Sequence, residues 1–317
     1  MRTQVLVTGS AGHLGEALMR TFRAEGRPAA GLDIKTSPFT DHVGSINDRG
    51  LVKQCMRNVK TVIHTATLHK PHIATHAMQD FVTTNVAGTL VLLEEAAAAG
   101  VECFLYTSTT STFGDALTPG PREPAAWITE GVTPIPKNIY GVTKLAAESL
   151  CELFFRKHGL PTLVLRTSRF FPEDDDDAAT RSRYETLNAQ ANELLYRRAD
   201  IEDVVAAHLS AETRLSEAEF RGRKGFCRYI ISASTPFQRG DCGQLRADAV
   251  EVVRRLFPEC EALYRARGWA LFPGLDRVYD SSLATRELGW QPRYDFQYVL
   301  ECLKGGTDFR SPLAREV

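Results

Sequence analysis

Short apolar runs punctuate the first half of the chain at regular intervals. Gln4 to Thr8 reads QVLVT, the β-branched run expected of a strand buried on both faces. Glycines follow at positions 9, 12 and 15, and a helical pattern continues to about Ala24. Ala29 to Asp33 is a second run that closes on an acid, and His42 to Ile46 is a weak third. Leu51 to Arg57 predicts a short helix, and Val59 to His64 another buried strand. Between Asp80 and Ala99 the residues Phe81, Val86, Leu90, Leu93 and Ala97 recur at helical spacing, and Gly100 supplies the stop. Val101 to Ser108 reads as a strand, Ile139 to His158 as a long helix, and Pro161 to Arg166 as a strand. This alternation predicts an α/β fold of Rossmann type, a doubly wound parallel sheet with helices on both faces.

The pattern changes after Arg166. Pro172 to Arg183 is polar and carries Asp174, Asp175, Asp176 and Asp177 in succession, which predicts a solvated loop. A cation loop is the alternative, but hard cations need ligands spaced around a turn. Ile201 to Arg214, Leu245 to Leu256 and Leu283 to Leu288 predict helices, and Tyr229 to Ser232 a strand. The expected division is a cofactor-binding part, residues 1–167 with about 198–235, and a smaller α/β substrate lobe, residues 168–197 with about 236–317.

Composition narrows the class. The chain has 317 residues, 38 basic and 39 acidic, for a net charge of −1. No positive excess is available for a phosphate backbone, so nucleic acid is excluded as the main partner. The seven cysteines are dispersed without a C-x-x-C pair and read as reduced thiols in a cytoplasmic protein. No run approaches the ~20 apolar residues of a membrane span, so no membrane association is expected.

Gly9, Gly12 and Gly15 sit between the first strand and the first helix. Gly9 permits the tight turn, Gly12 lets a pyrophosphate approach, and Gly15 lets helix and strand pack closely. Asp33 ends the second strand, where an acid binds adenosine ribose hydroxyls and repels a 2′-phosphate. The expected cofactor is NAD, although Lys35 stands close by. Tyr140 and Lys144 form a Y-x-x-x-K pair, one turn apart on one helix face. A neighbouring ammonium favours tyrosinate, so the phenol can act as acid or base near neutral pH.

With these motifs in order, the sequence resembles the extended short-chain dehydrogenase/reductases, in particular the NAD-dependent epimerase/dehydratase family that includes UDP-glucose 4-epimerase. Val62 to Ala66 is similar to its V-x-H-x-A strand end, and Asn85 to Thr89 to its N-x-x-G-T helix motif. Phe104 to Gly114 is similar to its F-x-x-S-S-x-x-x-Y-G strand and loop, which puts Thr109 on the catalytic hydroxyl and Ser108 beside it. Arg198 to Val204, Arg277 with Asp280, and Leu288 to Pro292 resemble its later motifs. The resemblance implies a cofactor shell of Gly9, Ala11, Gly12, His13, Leu14, Gly15, Asp33, Ser45, Ile46, His64, Thr65, Ala66, Asn85, Thr107, Tyr140 and Lys144. It implies catalysis by Tyr140, Lys144, Thr109 and Ser108, substrate contacts from His69, Arg169, Arg198 and Arg277, and a homodimer through the helices holding Asn85 and Tyr140.

Several positions depart from the family pattern. Thr110 and Ser111 follow Thr109 where dehydratases carry acids, which counts against dehydration. Ser45 replaces an Asp beside the adenine. Arg169 replaces an Asn near the substrate, and the stretch from Pro172 to Arg198 is short for a nucleotide sugar. An Arg there suits a carboxylate or phosphate; pairing with the Asp174 to Asp177 run is the alternative. His69, His72 and His76 cluster without an acid to complete a metal set, so no metal is expected. The expected activity is an NAD-dependent sugar epimerase of the UDP-glucose 4-epimerase type, acting on a sugar or nucleotide sugar. The alternatives are a net dehydrogenase of a small acidic or phosphorylated sugar and a non-catalytic NAD-binding regulator.

Overall fold

The computed structural model describes residues 4–170 and 178–317. The acidic run Asp174 to Asp177 lies outside the described residues. The strands are β1 (Val5–Thr8), β2 (Ala29–Asp33), β3 (His42–Val43), β4 (Thr61–His64), β5 (Cys103–Thr109), β6 (Ala126–Ile128), β7 (Thr162–Thr167), β8 (Arg169–Phe170), β9 (Arg198–Ala199), β10 (Phe226–Ile231) and β11 (Arg277–Tyr279). Seven form one sheet in the order β10-β7-β5-β4-β1-β2-β3, and each pair is parallel. The order reverses between β1 and β4, the place where a doubly wound sheet opens a crevice at its strand ends. Every residue of β1, β4, β5 and β7 is buried, which is why those segments read as unbroken apolar runs.

The first eight helices are α1 (His13–Ala24), α2 (Arg49–Cys55), α3 (Met78–Phe81), α4 (Gly88–Ala99), α5 (Ile139–His158), α6 (Ala178–Arg183), α7 (Thr186–Glu193) and α8 (Ile201–Ser216). The continuous helix expected from Asp80 to Ala99 is broken by a π-helical segment, Val82–Ala87. Apolar spacing does not reveal the extra residue per turn, because Phe81 and Leu93 remain buried on either side of it. Two apolar clusters sandwich the sheet. One packs Leu6, Val62, Phe104 and Val164 against Leu92, Ala147 and Phe154; the other packs Val7, Ile63 and Leu165 against Leu18, Phe22 and Val204.

Two small parallel pairs lie outside the main sheet, β6 with β11 and β8 with β9. Both join residues far apart in sequence, Trp127 to Val278 and Arg169 to Arg198. The later motifs meet in the same way. Asp203 accepts the N–H groups of Arg293 and Tyr294 at 2.8 and 2.9 Å, and the Trp290 indole donates to the Asp203 carbonyl. No helix among the described residues is long and apolar enough to cross a membrane.

Candidate functional site

A cavity of about 820 Å³ opens at the C-terminal ends of the strands. Gly9, Ala11, Gly12, His13, Leu14 and Gly15 line one end with Asp33, Ser45, Ile46, Thr65 and Ala66. Gly9 has φ +78°, and a Cβ on it would fall 2.7 Å from the Ala66 nitrogen. Helix α1 starts after Gly12 without a side-chain cap, so its first-turn N–H groups remain available to an anion. Asp33 accepts the Ala11 and Lys35 N–H groups, which fixes its carboxylate at the cavity edge.

At the opposite wall, α5 lays Tyr140 and Lys144 against the end of β5. Both are buried, and both line the cavity with Thr107, Ser108 and Thr109. Lys144 Nζ donates to the Thr107 carbonyl at 2.6 Å and stands 4.1 Å from the centre of the Tyr106 ring. Burial pulls its pKa down to about 7, while Glu148 and Cys151 push it up. Thr109 Oγ accepts the Ser111 N–H at 3.1 Å, which leaves its own proton for a group in the cavity. The Ser108 hydroxyl is committed elsewhere, donating to Glu148 at 2.6 Å.

Arg169, Arg197 and Arg277 line the cavity beyond Thr167 and Ser168. Arg169, Arg197 and Arg198 all pair with Glu193, at 2.9, 2.7 and 2.7 Å. Glu193 is fully buried at the end of α7. Arg277 donates to the Gly114 carbonyl. The Ser168 hydroxyl is buried and has no hydrogen-bond partner among the described residues. His69, Lys70, His72 and His76 line the remaining rim. Their imidazoles pack edge to face, His72 lying 4.6 Å from His69 and 5.1 Å from His76. Burial and the surrounding His69, His76 and Lys35 lower the His72 pKa.

Residues 5–216 match the model of the NAD dependent epimerase/dehydratase family. The chain belongs to this family. It is 28% identical over 174 residues to a UDP-glucose 4-epimerase of Azospirillum brasilense, an alignment covering 51% of this chain and 48% of the relative. The chain spans about half the length of the curated relatives it matches. A short-chain dehydrogenase/reductase superfamily protein from Agrobacterium tumefaciens with bound NAD shares its fold, with a TM-score of 0.67 and 22% identity over 99% of this chain and 97% of that one. MoeE5 in complex with UDP-glucuronic acid and NAD does so at a TM-score of 0.63 and 22% identity, over 92% and 94%.

The family's cofactor fits the residues present: a glycine cradle that a Cβ would fill, an uncapped helix start and an acid at the end of β2. Three expected contacts do not line the cavity. His64 is buried behind it, between Thr8 Oγ at 2.7 Å and Thr89 Oγ at 2.9 Å. The Thr89 proton goes to the Asn85 carbonyl, so His64 donates from Nε2 and accepts at Nδ1. Burial, then the charge of Lys144, holds its pKa well below the ordinary value. Asn85 braces the wall instead: its carbonyl accepts from Thr67 and the Leu68 N–H, and its amide donates to the Leu68 carbonyl and Thr143. Arg198 is fully buried against Glu193, and its neighbour Arg197 takes the place on the wall.

Glu148 and His208 escaped the sequence reading. Glu148 continues the Tyr140–Lys144 stripe by one more turn, and that spacing was its available signal. His208 donates from Nδ1 to the Val204 carbonyl, so its Nε2 accepts the Thr107 hydroxyl at 2.8 Å. Burial brings its pKa down to about 4. No local pattern announces it.

Proposed function

We propose that this protein is an NAD-dependent sugar epimerase that works by transient hydride transfer from a secondary alcohol, with Tyr140 as the base. The observation that carries the reading is the placement of Tyr140, Lys144 and Thr109 on one cavity wall, opposite the glycine cradle. NAD, when bound, supplies the hydride acceptor. The Thr109 proton points the substrate hydroxyl at Tyr140, and the Tyr140 oxygen takes its proton. Lys144 lowers the cost of the tyrosinate by charge. Thr110 and Ser111 carry no acid, so expulsion of water lacks a proton donor at that position.

Arg169, Arg197 and Arg277 support a substrate bearing a carboxylate or phosphate. A second reading, net dehydrogenation of a small acidic sugar, is favoured by the position of Arg169. Thr167 pairs in register with Thr109. Arg169 follows two residues later, roughly 7 Å further at extended-chain rise, which is within one sugar ring of the reacting hydroxyl. A homodimer through the π-helical segment that holds Asn85 and through α5, which holds Tyr140, belongs to the same proposal, supported by the exposed Val82 and Val142 on those two elements.

Denaturing the purified protein and quantifying released NAD(H) separates the two readings. Near-stoichiometric cofactor supports the epimerase, whereas an empty protein points to cofactor exchange and net oxidation. Tyr140→Phe is expected to lower turnover by about 10²–10⁴-fold while NAD still binds. Unchanged turnover would sink the mechanism.

A further inference from the structure

We propose that Glu148 is a positioning residue for hydride transfer, locking the end of β5 to the helix that carries Tyr140 and Lys144 and supplying a fixed negative charge beneath Lys144. The proposal rests on the Tyr140 mechanism above. Tyr140, Lys144 and Glu148 stand at successive turns of α5, and the two lower ones grip successive residues of β5. Lys144 holds the Thr107 carbonyl, and Glu148 holds the Ser108 hydroxyl. The next residue along the strand is Thr109. Glu148 is fully buried and does not line the cavity, so it acts through these neighbours.

The same carboxylate ties three strands together. Arg166 on β7 donates to it from Nε at 3.0 Å and from Nη2 at 2.7 Å. Arg228 on β10 donates at 3.1 Å and reaches Glu152 with its other arm. Thr167 Oγ donates to the Ser108 carbonyl and closes the network around Thr109. A buried carboxylate with this many charged donors leaves little freedom for the strand end it holds.

Charge is its second contribution. Around Lys144 stand Tyr140, Glu148 and Cys151 from its own helix, His64 from β4 and Tyr106 from β5, with Arg166 and Arg228 behind Glu148. Burial strips the ammonium of water, and Glu148 is the strongest influence keeping it protonated. A neutral Lys144 would no longer favour tyrosinate.

The direct test is an NMR titration of the Lys144 ε-carbon, read beside the pH profile of turnover. Glu148→Gln removes the anion and is expected to move both the Lys144 titration and the alkaline limb of turnover to lower pH, by about one pH unit or more. Arg228→Met removes a cation competing for Glu148 and is expected to move both to higher pH. Ser108→Ala leaves the charges intact and is expected to lower kcat about tenfold, with the Lys144 titration unmoved. A merely structural role would not shift the titration in opposite directions. If Glu148→Gln does not fold, Arg228→Met decides. An unmoved titration in the folded variants overturns the charge role, and wild-type kcat in Ser108→Ala overturns the locking role. Retained turnover in Tyr140→Phe, with the Lys144 shifts present, would fail the mechanism instead, so the two failures are distinguishable.

Discussion

A methyl group on Gly15 would stand 1.9 Å from the Gly9 carbonyl oxygen, closer than any tolerable contact. The first turn of α1 and the loop before it cannot both keep their places. Gly15→Ala is expected to cost at least about 2 kcal/mol and to raise the Kd for NAD, checked by urea unfolding and by titration with the cofactor. A wild-type urea midpoint would contradict the packing described. The glycines, Tyr140 and Lys144 were legible because covalent spacing and backbone geometry demand those residue types at those positions. Ser108, expected to face the substrate with Thr109, gives its proton to Glu148. Which of two adjacent hydroxyls faces inward is decided by a helix whose register against β5 no local pattern encodes. His64 shows the same limit: a histidine at a strand end reads as a ligand, yet Thr8 and Thr89 occupy both its nitrogens.

At the scale of elements, the buried strands β1, β4, β5 and β7 were legible as apolar runs, and α5 ends where its capping residues place it, after Asn138 and before Gly159. The π-helical Val82–Ala87 was not, since no single residue type marks the extra turn. Nor were the two-residue strands β8 and β9, which exist only because the chain returns to pair Arg169 with Arg198. The start of α8 shows how distant elements are joined. Asp203 offers its carboxylate to the Arg293 and Tyr294 N–H groups, yet burial raises its pKa to about 7. Its pKa in the unfolded chain is about 3.9, so folding takes up a proton between the two values. The resulting stability is present below the unfolded pKa and is lost as pH rises through about 7. Asp203→Asn is expected to cost about 1–3 kcal/mol, because an amide hydrogen then faces an N–H. It should also lose less stability than the wild type between pH 5 and pH 8. Urea midpoints at both pH values check this; parallel losses would refute it.

Across the whole molecule, one sheet draws on strands from two separated stretches of chain. Residues 5–167 supply six of its strands, and Phe226–Ile231 supplies the seventh, beside β7. The cavity is likewise shared. Its cofactor end comes from the first stretch, while Arg197 and Arg277 come from the later chain. A product comprising residues 1–167 is therefore expected to aggregate during expression, because β7 becomes a bare apolar edge. Light scattering at matched concentration would check it; a monomeric, cofactor-binding fragment would show the later chain to be dispensable for the sheet.

The placement of β10 also sets an order of events during synthesis. When residue 167 leaves the ribosome, six of the main sheet's seven strands have been made, yet β7 has no neighbour on its outer side. Some sixty further residues must emerge before that edge can close. At ~5–20 residues per second, the nascent chain carries an open hydrophobic seam for several seconds. The growing polypeptide would then depend on chaperone cover until its last sheet strand arrives.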